Sequence, residues 1–224
     1  MASRIHQLMQ DYSHDGRKSR GVENKYQSYR FYSSWFGNKF PVVLDVCVLA
    51  NVLCMVQAYN LQWTKSDSAS LNLIVTSITN KDVVEHSLRI SPYYGKTSII
   101  LYHFARLMSI RKIAELESVK PLLKEMALLE FNQSSDLLEK IIIGTTMMKW
   151  GYEAPLIEVP DGIQLEKLIE KSNFPFFIGN LPSFLSHSKR TFLTKLKLGL
   201  YYHYCPAFND ALLLEYITLK KNRS

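Results

Sequence analysis

The sequence predicts a mainly α-helical fold: stacked helical hairpins arranged as an arc or a closed ring, with at most two short strands. Three observations lead there. Apolar residues recur at helical spacing through most of residues 40–219, the pattern of successive helices that each bury one face. Capping residues or prolines stand at the starts of several of these runs. The β-prone, aromatic runs are confined to Phe174–Asn180 and Leu198–Tyr204. Residues 1–39 read as a basic, aromatic-rich N-terminal segment, and residues 40–224 as a single helical domain.

The elements follow in chain order. Residues 1–12 suit a short helix, and Ser13 to Arg20 reads as a loop. Tyr26, Tyr29, Phe31, Tyr32, Trp35 and Phe36 form an aromatic segment, expected at the surface, that ends at the turn signal Gly37-Asn38. Pro41 suits a first helical turn, and the run to Tyr59 reads as a buried helix. Asp45, Asn51 and Gln57 point in three directions on that helix, so packing by protein on all sides is expected rather than a bilayer crossing. Ser66 or Asp67 is expected to cap a helix through Asn80, with Leu71, Ile74, Val75 and Ile78 on one face.

Ser91-Pro92 has the form of an N-cap followed by a first helical residue, opening a helix to about Ile110. Ser118 is expected to cap a helix over residues 118–131. Ser134-Ser135-Asp136 caps the next, which runs through Trp150 and stops at Gly151. Pro155 and Pro160 mark a connector, and residues 162–171 a short amphipathic helix. The last helix begins near Pro206 and carries Leu212, Leu213, Tyr216 and Leu219.

The formal net charge is +7, concentrated at the two ends. Residues 1–39 carry seven Lys/Arg against three Asp/Glu, and residues 181–224 seven against two. Such a balance suits nucleic acid, an acidic membrane surface or a phosphate-bearing substrate. Cys47, Cys54 and Cys205 are too few and too irregular for a disulfide framework, which predicts a reducing, cytoplasmic setting. The sequence has no Walker-type loop, Gly-x-Gly-x-x-Gly, His-Glu-x-x-His or Gly-x-Ser-x-Gly, which argues against nucleotide hydrolysis, dinucleotide redox chemistry and α/β-hydrolase catalysis.

The candidate functional residues are polar groups in apolar surroundings. Asp45 and Glu215 sit within apolar helices, where burial raises a carboxyl pKa and suits it to acid catalysis. Asn51, Tyr93, Tyr94 and His103 are candidates for a pocket rim, with Asn209 after Pro206. Tyr201-Tyr202-His203-Tyr204-Cys205 is the densest polar-aromatic cluster; on a strand, His203 and Cys205 would share one face.

Three stretches, Leu44–Leu53, Ser91–Lys96 and Tyr202–Asn209, resemble the α/α-toroid superfamily of terpene cyclases and protein prenyltransferase β subunits. The resemblance covers roughly residues 30–219 and rests on pattern. Seven or eight helices are read here, fewer than a full toroid uses, and the Asp-x-Asp-Asp motif and Gln-Trp repeats of the superfamily are missing. The resemblance therefore implies a complete toroid or a partial one finished by a partner. It also implies a zinc site, because Asp45-Val46-Cys47 and Tyr102-His103 match the ligand pattern of prenyltransferases. Asp45, Cys47 and His103 would leave one zinc position for a substrate thiol.

Two functions are expected on these grounds. One is the binding or transformation of an apolar, isoprenoid-like ligand in an aromatic-lined cavity. The other is a non-enzymatic helical module that binds a protein partner, with oligomerisation an open option. Nucleic acid is the weaker third partner, and no transmembrane segment is expected.

Overall fold

A computed structural model of the chain describes residues 1–16, 19, 22–35, 42–158, 162, 165, 167, 169, 172 and 174–223. Its elements are α1 (Ala2–Asp11), α2 (Val46–Ala58), α3 (Lys65–Thr79), the short α4 (Asp82–Glu85) and α5 (Ser87–Ile90), then α6 (Thr97–Ile110), α7 (Ala114–Gln133) and α8 (Leu137–Lys149). They are followed by β1 (Phe177–Asn180), α9 (His187–Lys195), β2 (Leu200–His203) and α10 (Pro206–Lys221). The fold is mainly helical, with one antiparallel pair of strands in which Phe177 faces His203 and Asn180 faces Leu200. The expected turn at Gly37-Asn38, Pro41 itself and most of the expected helix 162–171 lie outside the described residues. The helix expected from Pro41 begins only at Val46, because residues 42–45 are not helical and Asp45, in extended conformation, is its cap rather than a residue within it. Gly162, Leu165, Lys167 and Ile169 are helical.

Helix starts are set by side-chain acceptors for otherwise unpaired backbone N–H groups. Asp45 caps α2, accepting from the N–H groups of Cys47 and Val48. At α3 the cap is Thr64. Asp67, expected as a cap, instead occupies the third helical position of a reciprocal capping box. Asp136 caps α8 as expected, accepting from the Glu139 N–H, and the chain leaves that helix through Gly151 at φ +84°, a conformation glycine adopts without strain.

Two further helices depart from expectation. α6 opens at Thr97 and not at Pro92; the Ser91 hydroxyl does not cap it and donates instead to Asp45 across the fold. α7 opens at Ala114, so Ser118 lies inside the helix and donates to the Glu115 carbonyl.

Helix α6 packs against α2, α7 and α8; α3 packs against α2 and α7, and α10 lies on α8. The all-round apolar sequence of α2 finds neighbours accordingly, with Val46, Leu49, Leu53 and Val56 all buried. Gly144 in α8 permits the close approach of α10: a Cβ there would lie 3.1 Å from the Tyr216 ring and 3.2 Å from Ile157. Among the described residues no helix is long and apolar enough to cross a membrane.

The N-terminal aromatic segment was expected at the surface; the structure corrects this. Tyr26, Phe31 and Tyr32 are fully buried in the same core as the helices. The reason is a supply of buried acceptors. Tyr32 donates to Asp67 at 2.9 Å, and His6 Nε2 lies 3.2 Å from the same carboxylate. Tyr26 donates to Asp82 at 2.5 Å, and Lys25 pairs with that carboxylate at 2.6 Å. Burial pushes both tyrosine hydroxyls well above their ordinary pKa.

Candidate functional site

The turn Ser91–Lys96, ahead of α6, is the organising point of the candidate residues. Asp45 holds it from below: its carboxylate accepts from Ser91 Oγ at 2.7 Å and the Tyr93 N–H at 3.2 Å, besides its two cap bonds. Burial pushes the Asp45 carboxyl up to about 6, against the lowering effect of these donors. Strand β1 is stitched to the same turn from above. The Ile178 N–H donates to the Tyr93 carbonyl, and Asn180 Nδ2 to the Pro92 carbonyl.

This arrangement lines up a ladder of rings. Trp35 meets Tyr93 edge-on at 5.6 Å, Tyr93 stacks on Phe177 at 5.7 Å, and Phe177 meets Tyr94 at 6.1 Å and His203 at 5.8 Å. Tyr94 then meets His103 at 5.5 Å, and His103 meets Tyr102 at 6.1 Å. The distances fall in the range of favourable aromatic pairs. Polar ends fix the rungs. Trp35 Nε1 donates to the Tyr93 hydroxyl at 2.7 Å, and that hydroxyl lies 3.2 Å from Ser183 Oγ. His103 Nδ1 lies 3.2 Å from Asn51 Oδ1, which also accepts from Arg106. The Tyr102 hydroxyl donates to Glu215 at 2.6 Å, and Glu215 pairs with Lys149 at 2.7 Å.

Burial, with the Arg106 charge nearby, lowers the His103 pKa to about 3, so its imidazole is neutral at ordinary pH. The Cys47 thiol is pushed well up by burial and by the Asp45 carboxylate. Asp45 and Cys47 share Ser91 as a partner, whereas His103 is turned to Asn51. Among the described residues no group of three or more His, Cys, Asp or Glu is placed to hold a metal ion. The zinc set implied by the resemblance is thus not gathered at one point.

Of the residues singled out from the sequence, the ladder and its polar ends bring together Asp45, Asn51, Tyr93, Tyr94, His103, His203 and Glu215. Two stay apart. Tyr202 is exposed on β2, and Asn209 is buried on α10 with its Oδ1 lacking a hydrogen-bond partner among the described residues. Sequence reasoning missed Phe177 and Trp35, which link the rungs. Phe177 lies in the β-prone run, where alternation marks every second residue for one face.

A second arrangement lies on the outside. From Phe174 to Asn209 the sequence contains no Asp or Glu, but carries Lys189, Arg190, Lys195 and Lys197. Phe192, Leu196, Leu198, Tyr201, Tyr202 and Tyr204 are all exposed there, Phe192 at 64%. Helix α9 is turned so that Arg190 is buried, 3.9 Å from Glu23 of the N-terminal segment, while Phe192 and Leu196, one turn apart, face outward. The turn into β2 is closed by the Leu198 N–H on the Leu193 carbonyl and the Leu181 N–H on the Gly199 carbonyl.

No family model, no curated protein and no solved structure matches this chain.

Proposed function

We propose that the chain is a binding module rather than an enzyme, a helical platform whose C-terminal face docks a partner. The observation that carries this reading is the exposed apolar and aromatic surface of residues 176–204, free of carboxylates. Large apolar side chains left exposed together on one stretch of chain are the raw material of an interaction site. The candidate catalytic carboxylates support the same reading, because each has a structural task. Asp45 caps α2 and ties down the Ser91–Lys96 turn, and Glu215 joins α10 to Tyr102 and Lys149.

The test is site-specific photo-crosslinking in cells that express the full chain. A crosslinking amino acid in place of Phe192 is expected to give a discrete adduct, and one in place of Leu129, exposed on α7, none. Equal yields from both positions, or no adduct to protein or lipid from either, would overturn the reading.

A second reading, an apolar isoprenoid-like ligand, is favoured by the open groove of about 520 Å³ between α6 and α10, lined by Tyr102, Phe208, Leu212 and Glu215. Its volume is in the range of small-molecule sites. The toroid resemblance stands or falls with this reading. A co-purified ligand in the native mass spectrum, displaced in Phe208→Ala, supports it; a bare chain mass removes it.

A further inference from the structure

Resting on the docking reading, we infer that the partner is a lipid bilayer bearing anionic headgroups, met peripherally by α9 and the turn into β2. The outward stripe of α9 runs Lys189, Phe192, Lys195, Leu196, and the chain continues through the exposed Lys197 and Leu198. Lysines bordering an apolar stripe suit a bilayer boundary, where their alkyl stems lie along the apolar zone and their ammonium groups reach the headgroups. Tyr201 and Tyr202 follow on opposite faces of β2, so either face presents a ring type that suits the interfacial level with its body apolar and its hydroxyl wet.

Charge complementarity selects the lipid. Lys189, Lys195 and Lys197 are exposed, with no carboxylate between Phe174 and Asn209, and are attracted to an anionic surface; Arg190 is taken up by Glu23. The aliphatic groups decide against the other macromolecules. Leu181, Leu196 and Leu198 are each more than half exposed. Leucine offers no ring for a base to stack on and is under-represented among protein hot spots, whereas a bilayer accepts it. Cys47, Cys54 and Cys205 are free thiols, which fits a reducing compartment and so the leaflet that carries anionic lipid. The Arg190–Glu23 pair holds α9 against the N-terminal segment with the stripe already turned outward.

The experiment is co-sedimentation of the full chain with phosphatidylcholine vesicles, with and without phosphatidylserine. Binding is expected only with phosphatidylserine. The variant K189E/K195E/K197E is expected to lose at least about 100-fold in affinity, roughly five-fold for each lysine removed. The variant F192S/L196S/L198S is expected to lose on the order of 100-fold or more, and unchanged circular dichroism and melting would show that both variants are folded. Equal binding to both vesicle types, or no binding to either, overturns the inference. A protein adduct at position 192 without vesicle binding overturns the lipid assignment and leaves the docking reading standing. Polynucleotide binding retained by the serine variant and lost by the glutamate variant also overturns it. Neither adduct nor vesicle binding overturns both.

Discussion

Residues 26–32 and residues 192–204 are both rich in aromatic side chains, and the chain treats them in opposite ways. In the first stretch Tyr26, Phe31 and Tyr32 are buried; in the second Phe192, Tyr201, Tyr202 and Tyr204 are exposed. For the tyrosines the difference follows the partners offered to their hydroxyls. Tyr26 and Tyr32 each reach an aspartate buried at the start of a helix, Asp82 and Asp67. Tyr201, Tyr202 and Tyr204 of the second stretch stay 40–58% exposed. A tyrosine body gains by burial, but its hydroxyl must be paired once water is gone. For Tyr26 and Tyr32, a carboxylate supplied by a distant helix start accompanies burial.

The comparison is broken most directly at Asp67. Asp67→Ala removes the acceptor from His6, Tyr32 and Thr64 at once, and is expected to destabilise the fold by roughly 3–5 kcal/mol. The check is urea unfolding, with a lowered midpoint and an unchanged slope.

The next effect is a pH dependence seated in the buried body. The Asp45 carboxyl rises from 3.8 to about 6 on folding, so its stabilising contribution is present below about pH 4 and lost as pH rises through 6. His103 falls from 6.5 to about 3, so its contribution is present above about pH 6.5 and lost as pH falls through 3. The two slopes oppose one another between about pH 4 and 6, each worth on the order of 3 kcal/mol. Asp45→Asn is therefore expected to steepen the rise of stability with pH in that window, and His103→Gln to reverse it. Parallel unfolding curves of wild type and both variants across the window would contradict this.

Tyr32→Phe, which leaves the ring and removes the hydroxyl, sharpens the comparison at about 1–2 kcal/mol. Hydrogen exchange should report the loss locally, at the start of α3. The smallest effect belongs to the exposed stretch. Phe192→Ser, Leu196→Ser and Leu198→Ser are each expected to change the unfolding free energy by less than about 0.5 kcal/mol. A larger loss at any of them would mean that the stretch serves the core after all.

What could be read from the sequence divides along the same line. Helices α2, α8 and α10 were legible because their signals are local: a run of apolar residues, an aspartate cap with a glycine stop, a proline at the first turn. Both strands were legible from β-prone runs. The burial of Tyr26 and Tyr32 was not, because their acceptors lie 56 and 35 residues away. The start of α6 was misplaced for a related reason. Ser91 has the form of an N-cap, yet its hydroxyl goes to Asp45, 46 residues back in the chain. Helix α9 escaped notice since its apolar residues face outward among lysines and carry no clear core stripe. In the candidate site, Asn51, Tyr93, Tyr94, His103 and His203 stood out as polar groups in apolar runs. Trp35 and Phe177, ordinary hydrophobic residues by type, acquire their place only through the fold.

The ring ladder also imposes an order in time. The Tyr93 hydroxyl is held between Trp35, 58 residues earlier, and Ser183, 90 residues later. A chain emerging from the ribosome can therefore pair helices α2 to α8 while the far side of Tyr93 still waits for its neighbour. Only when residues 177–183 arrive are both sides of that ring covered, and α9 follows directly behind them. The surface proposed to meet a partner thus takes shape only after helices α2 to α8 have been made.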